Sequence, residues 1–312
     1  MAINYWIKVN VGKILVAGLF AVLALVGYVT VKPFFASELQ AKSFSSVAKG
    51  ITKSFVTSMA YMNWQPSGKK NPKDQMPLSL IPAGHFSMGA DDVGNTPNSP
   101  SHLVNLDSYY IYTFEVTNWM YSQCVRDKKC DDPAKVNPYF GNVLFSTYPV
   151  VYITWKQAAD YCAWSGGDLP TEAEWEMAAR GPNNYRWPWG NAAPDSQKAN
   201  YGNSVALLVS SFTYPDGASP FEVANMAGNA REWVKDRYNP TYYKRSPAKN
   251  PQGSPSGDRR SLRGGSYLDD QNQISSYNRF SHDPDSPGIN RGFRCVIRPQ
   301  LRTNLPPNTP KP

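Results

Sequence analysis

The sequence predicts an α+β domain of low regular secondary structure, preceded by one N-terminal transmembrane helix. Three observations carry this expectation. Three helix starts are marked by capping residues, the strands between them are short, and long loops rich in Pro, Gly and Asn fill the middle of the chain. The chain has 312 residues, with nine Trp, nineteen Tyr, 27 Pro and 22 Gly. Disordered chains are poor in aromatics, so this mix describes a compact, loop-rich domain.

The helices come first. Thr117 caps a segment running through Gln123. Thr154 with Gln157 forms a capping box for Trp155 to Trp164, and Thr171 with Glu174 forms another for Glu172 to Arg180. In each box the hydroxyl and the later Glu or Gln satisfy amide groups that a helix start leaves unpaired. Glu172, Glu174 and Glu176 sit at the positive end of the third helix dipole and read as capping plus solvated charge, against the alternative of general acid/base work. Short strands are expected at Ser108 to Tyr112, Ser261 to Arg263 and Phe293 to Ile297. Loops of this length need ties beyond ladder hydrogen bonds, such as disulfides, ions or buried aromatics.

The N-terminal part has a different character. Residues 1–13 form a short head, and 14–31 read ILVAGLFAVLALVGYVTV without a charge, between Lys13 and Lys32. At about 1.5 Å per residue this run crosses most of a hydrocarbon core of about 30 Å. The cleavage site at Ala36 is poor because Phe34 stands at its −3 position, and no Cys follows the run, so an uncleaved anchor is expected. Residues 32–77 read as a stalk and linker. A helix over Ser37 to Met62 would carry Leu39, Phe44, Val47, Ile51, Phe55 and Met59 on one narrow face, and 65–77 is Pro/Gly/Lys-rich. The globular domain is expected over 78–299, followed by a polar Pro-rich tail at 300–312.

The net charge is +8, but the basic residues are scattered and do not interleave with aromatics along a strand-binding track. No nucleic-acid partner is expected. The four cysteines, Cys124, Cys130, Cys162 and Cys295, are even in number behind a membrane segment. Cys124 and Cys130 flank five residues, which allows a disulfide if the chain turns. A metal site or reactive thiols are the alternatives, but C-x₅-C is not a common zinc spacing. Disulfides imply an oxidising compartment. The lysines flanking the span do not set its orientation, and the cysteines do. The expectation is a single pass through the cytoplasmic membrane, with the domain on the periplasmic or extracellular side.

Seven stretches lie in order along the domain: IPAGHFSMGADD (81–92), HLVNLDSYYIYTFEVTNWMYSQCV (102–125), YPVVYITWKQAADYCAWSGGDLPTEAEWEMAARG (148–181), WPWGN (187–191), NMAGNAREWVKD (225–236), LRGGSYLDD (262–270) and NRGFRCVI (290–297). Together they resemble the formylglycine-generating enzyme family, also called sulfatase-modifying factor. The resemblance implies a C-type-lectin-like fold, and it pairs the YCxW cysteine with the GFRC cysteine, here Cys162 with Cys295. It also implies a structural Ca²⁺ at Asn225, the Gly228 and Ala230 carbonyls, and Glu232, an oxygen set suited to a hard cation. The alternative is a turn held by hydrogen bonds from Asn225 and Asn229.

The sequence departs from the family at one place. Aerobic members carry two cysteines after the GGS motif, five apart, which bind copper(I) and oxidise a substrate cysteine. GGSYLDDQNQI puts Asp269 and Ile274 there. Neither supplies the soft thiolate that copper(I) prefers, so no copper and no formylglycine generation are expected. Asp269 and Asp270, with Arg279 and His282, are a candidate polar cleft, against the alternative of a surface loop with satisfied charges. His85, His102 and His282 lie in different motifs, and each is expected to hydrogen-bond locally. The expected function is a non-catalytic domain that binds or scaffolds a partner in a membrane or periplasmic complex. The alternatives are a tailoring oxidase of other chemistry and a lectin-like ligand-binding module.

Overall fold

A computed structural model describes residues 68–91 and 96–299. The candidate membrane span, the stalk helix and the tail lie outside these residues. Among the described residues no helix is long and apolar enough to cross a membrane.

The described residues form a mixed α and β architecture, with three α-helices and three small sheets among them. Helix α1 spans Asn118–Arg126, α2 spans Trp155–Trp164 and α3 spans Glu172–Arg180. All three start at the predicted threonines. Thr154 and Thr171 form complete capping boxes with Gln157 and Glu174. Each α2 and α3 box satisfies a backbone amide at both of its ends, which is why these boundaries fall where the sequence puts them.

The first sheet has the order β1 (Lys69–Lys70), β2 (Pro77–Ile81), β5 (Tyr109–Tyr112), β10 (Val296–Ile297), all antiparallel. Strands β3 (Gly84–Met88) and β4 (His102–Leu106) form a two-stranded sheet. The third sheet has the order β8 (Phe280–His282), β7 (Arg260–Arg263), β6 (Arg231–Arg237), β9 (Arg291–Phe293), with β9 parallel to β6. The strand expected over 293–297 is therefore two strands, β9 and β10, in different sheets. Arg294 and Cys295 make the crossing between them.

The linker expected up to residue 77 ends earlier than the sequence suggests. Asn71, Asp74 and Met76 are buried, and β1 pairs with β2. Asp74 is the reason. Its Oδ2 accepts from the Tyr112 and Tyr161 hydroxyls at 2.8 and 2.6 Å, and its Oδ1 accepts from Met76 N–H at 3.0 Å. Three donors make burial of that carboxyl tolerable, although burial still raises its pKa.

Two apolar clusters hold the layers. One gathers Tyr121, Tyr161, Trp233, Leu262 and Phe293 with all four cysteines. The other packs Trp175 and Ala178 of α3 against Phe86, Val104 and Ile111. Both disulfides are formed: Cys124–Cys130, with Cα atoms 5.3 Å apart, and Cys162–Cys295, with Cα atoms 5.5 Å apart. The second joins α2 to the crossing before β10.

Candidate functional site

The loop before β6 is built by asparagines. Asn225 and Asn229 have φ of 55° and 58°, and Gly228 has φ of 80°. A Cβ on Gly228 would meet the Asn200 carbonyl oxygen at 2.2 Å, so only glycine fits. The loop closes on Glu115, which is fully buried. Asn225 Nδ2 donates to Glu115 at 3.1 Å, Asn229 Nδ2 at 3.0 Å and Ala230 N–H at 3.3 Å. This is the hydrogen-bonded turn that stood as the alternative to an ion.

Glu232 points elsewhere. Arg294 reaches both of its oxygens at 2.7 Å, and Trp175 Nε1 donates to one of them at 2.7 Å. Glu232 and Arg294 are both buried. The donor set named for Ca²⁺ does not fit the ion in this arrangement. The one carboxylate in it is spent, and Arg294 already supplies the positive charge. Among the described residues no group of three or more His, Cys, Asp or Glu side chains is placed to hold a metal ion. The three histidines lie apart: His85 on β3, His102 at the start of β4 against the Tyr243 ring, and His282 on β8.

Glu115 titrates in an unusual place. Burial, and then the nearby Glu232 charge, push its carboxyl up from 4.5 to about 7. The folded-state pKa lies above the unfolded one. From about pH 4.5 to 7 the unfolded chain releases a proton that the folded chain keeps, so this group withdraws stability as pH rises through that window. Below the window it contributes nothing. One glutamate carboxyl carbon titrating near neutrality is expected by NMR with labelled glutamate, and Glu115→Gln should remove it. A spectrum in which every glutamate titrates below pH 5.5 (an order-of-magnitude bound from ordinary carboxyls) rejects this.

The residues proposed as a polar cleft do not assemble. Arg279 is buried just before β8, where Nε and Nη2 donate to Glu172 at 2.6 and 3.0 Å and the guanidinium lies over the Tyr243 ring. Asp270 is exposed, and its Oδ1 accepts from the amides of Asn272 and Gln273. Asp269 is buried and pairs with Arg231 instead, through Nε at 2.9 Å and also through Nη2. Ser266 N–H and Oγ each donate to Asp269 at 2.7 Å. His282 is half-buried, and burial and then the Arg291 charge lower its pKa. Ile274 is fully buried with Trp187, Ala199 and Ala227.

The glutamates of α3 are not solvated. Glu172 pairs with Arg279 and Arg263, Glu176 with Arg263 and Arg180, and Glu174 with Arg298. Burial alone would raise the Glu172 carboxyl. The adjacent Arg279 and Arg263 outweigh it and hold the group ionised, below its ordinary value. Asp236 accepts from Glu172 N–H at 2.9 Å, and burial followed by the Glu172 charge raises its pKa. These ion pairs fasten α3 to Arg263 on β7, to Arg279 before β8 and to Arg298 after β10, which is a structural role.

Residues 65–299 match the sulfatase-modifying factor enzyme 1-like domain. The chain belongs to that family. It is 39% identical to the formylglycine-generating enzyme of Streptomyces coelicolor, over 74% of this chain and 92% of that one. It is 33% identical to the serine/threonine-protein kinase pkn1 of Chlamydia pneumoniae, over 73% of this chain but only 39% of the kinase. The solved structure of PvdO from Pseudomonas aeruginosa shares the fold, with a TM-score of 0.64 at 24% identity, over 74% of this chain and 97% of PvdO. The family's relatives therefore carry different named roles on one fold, and the site residues must decide between them.

One further cleft, of about 530 Å³, is lined by Asp91, Arg180, Arg186, Trp187, Asn191 and Tyr277 among others. Arg186 stacks over Trp187 at 4.8 Å, and its Nη2 donates to Asn272 at 3.0 Å. Sequence reading missed this cleft. The WPWGN motif was the signal, since paired tryptophans beside glycine mark a platform as readily as a core.

Proposed function

We propose that the chain is a membrane-anchored, non-catalytic member of the family, whose domain binds a partner outside the cytoplasm within a membrane complex. One observation carries this reading. At the two positions that resemblance sets against the redox cysteines, Asp269 is locked to Arg231 and Ser266, and Ile274 is buried in an apolar cluster. All four cysteines of the chain are spent in disulfides, so no thiol is left to accept a substrate cysteine. The disulfides also favour an oxidising compartment, and the uncharged run at 14–31 favours an anchor.

The test has two parts. Copper(I)-loaded full-length protein, given oxygen and a cysteine peptide that the Streptomyces relative accepts, should form no aldehyde above a blank. A pull-down from detergent-solubilised membranes should recover a stoichiometric partner. Aldehyde formation, or a lone monomer at native abundance, rejects the reading. A second reading, a lectin-like module for a small polar ligand, is favoured by the 530 Å³ cleft beside Trp187. It predicts that Trp187→Ala abolishes ligand binding and leaves the partner attached.

A further inference from the structure

The WPWGN stretch closes on itself. Trp187 and Gly190 exchange both of their backbone hydrogen bonds at 3.0 Å, and Trp187 Nε1 donates to the Gln271 carbonyl at 3.1 Å. The buried Trp187 ring therefore has a fixed plane, and the Arg186 guanidinium lies 4.8 Å over it. Arg186 N–H donates to Asn191 Oδ1 at 2.9 Å, and its Nη2 donates to Asn272 Oδ1 at 3.0 Å. The ring and the two asparagines hold this side chain in place before any ligand arrives, which cuts the ordering cost of binding.

The free edge of Arg186 faces the cleft of about 530 Å³. Its Nη1 has no acceptor and, unlike the buried Nε, stays open to solvent. Asn191 accepts through its oxygen, so its Nδ2 remains a second donor at the exposed rim. Asp91 lines the same cleft and is exposed. Its Oδ1 accepts from Ser101 N–H at 2.7 Å, and its Oδ2 from Ser101 Oγ at 2.6 Å. These bonds fill two of about four acceptor positions on the carboxylate and lower its pKa, so it is charged at neutral pH.

Neither Arg186 nor Asp91 forms an ion pair with a described residue, and they do not pair with each other. Arg180, also in the wall, is already spent. Its guanidinium donates to Glu176 and to the carbonyls of Gly89, Asn184 and Tyr185. The cleft is thus left with one unpaired cation and one unpaired anion. A ligand bearing only a negative group would meet Asp91, and one bearing only a positive group would meet Arg186. Like-charge juxtaposition of this kind selects against both. A ligand bearing both charges answers both walls.

We propose that this cleft takes a small zwitterion of the amino-acid or short-peptide class, its carboxylate on Arg186 Nη1 and Asn191 Nδ2 and its ammonium on Asp91. The volume lies within the range of about 300–1,000 Å³ usual for small-molecule sites. The inference rests on the second reading above, a small polar ligand beside Trp187, and it names the charges of that ligand. Arg186 and Asp91 are recognition residues, and Ser101 and Asn272 are positioning residues.

The test is calorimetric titration of the full chain in nanodiscs with glycine, diglycine and triglycine. Each is compared with its N-acetylated, its C-amidated and its doubly blocked form. Saturable binding of at least one free zwitterion is expected, and the length that binds best separates a free amino acid from a peptide. Blocking either end of that probe should weaken it by roughly tenfold or more, the range for a hydrogen bond to a charged group. R186Q should erase the penalty for amidation and keep the penalty for acetylation. D91N should do the reverse. A merely structural role for either residue would not split the two penalties. Equal binding of the doubly blocked form, or an unchanged pair of penalties in either variant, overturns the inference. If R186Q fails to fold, D91N decides alone, because Asp91 is exposed. A doubly blocked peptide or methyl mannoside that binds the wild type and not Trp187→Ala, with no preference for a zwitterion, removes this inference only. No binding by any of these probes removes the reading beneath it as well.

Discussion

Replacing Cys162 and Cys295 together by alanine is expected to lower the unfolding free energy by about 5 kcal/mol, against about 2 kcal/mol for the Cys124/Cys130 pair. The difference follows from loop length. The first bridge closes a sequence separation of 133 and the second only 6, and the chain entropy removed from the unfolded state grows with the logarithm of that separation. Domains of this kind are stable by about 5–15 kcal/mol in total, so loss of the long bridge approaches the whole margin. Both sulfurs of that bridge are fully buried in the Tyr161–Phe293 cluster, so truncation also leaves a void. Urea denaturation of the two double variants measures this. Equal midpoints for the two would reject the loop-length account.

Arg294→Met is the second large effect, at about 3–5 kcal/mol. Arg294 and Glu232 are both fully desolvated, and removing one partner leaves a buried charge uncompensated. The substitution also removes a donor from the carbonyls of Tyr112, Thr113 and Ala224, of which Thr113 keeps the Ala224 N–H. Glu232→Gln on that background should recover part of the loss, because the isolated carboxylate is gone. A double variant less stable than Arg294→Met alone would show that Glu232 contributes beyond its pairing.

The helices were legible because their signals are local. A threonine with Gln or Glu three residues on satisfies amides within one turn, and nothing distant competes with it. The buried charges were not legible, because their partners lie far along the chain. Glu172 meets Arg279 and Glu232 meets Arg294 only after the sheets have assembled. A signal did exist. Arg263 in SLRGG ends a strand and Arg294 in GFRCVI stands among apolar residues, and a charge there must be either buried with a partner or turned outward. The linker misled for a related reason. Asn71 and Asp74 look like solvent-facing residues, and the tyrosine hydroxyls that bury them are not neighbours in sequence. Asp269 was grouped with Asp270, Arg279 and His282, but its partner is Arg231, because β6 and not β8 passes beside the GGS turn.

The split of the last strand sets a timetable. Residues 291–297 complete both four-stranded sheets and carry Arg294 and Cys295, yet they are made after every other described element. At about 5–20 residues per second, β6 waits several seconds for β9, and Cys162 waits longer for its partner. Cys124 and Cys130 are already available in that interval, so three thiols coexist before the correct fourth arrives. Newly made chains are therefore exposed to a Cys130–Cys162 mispairing, which a thiol–disulfide isomerase would have to undo. Completion of both four-stranded sheets therefore waits for residues 291–297, although the elements they join are made earlier.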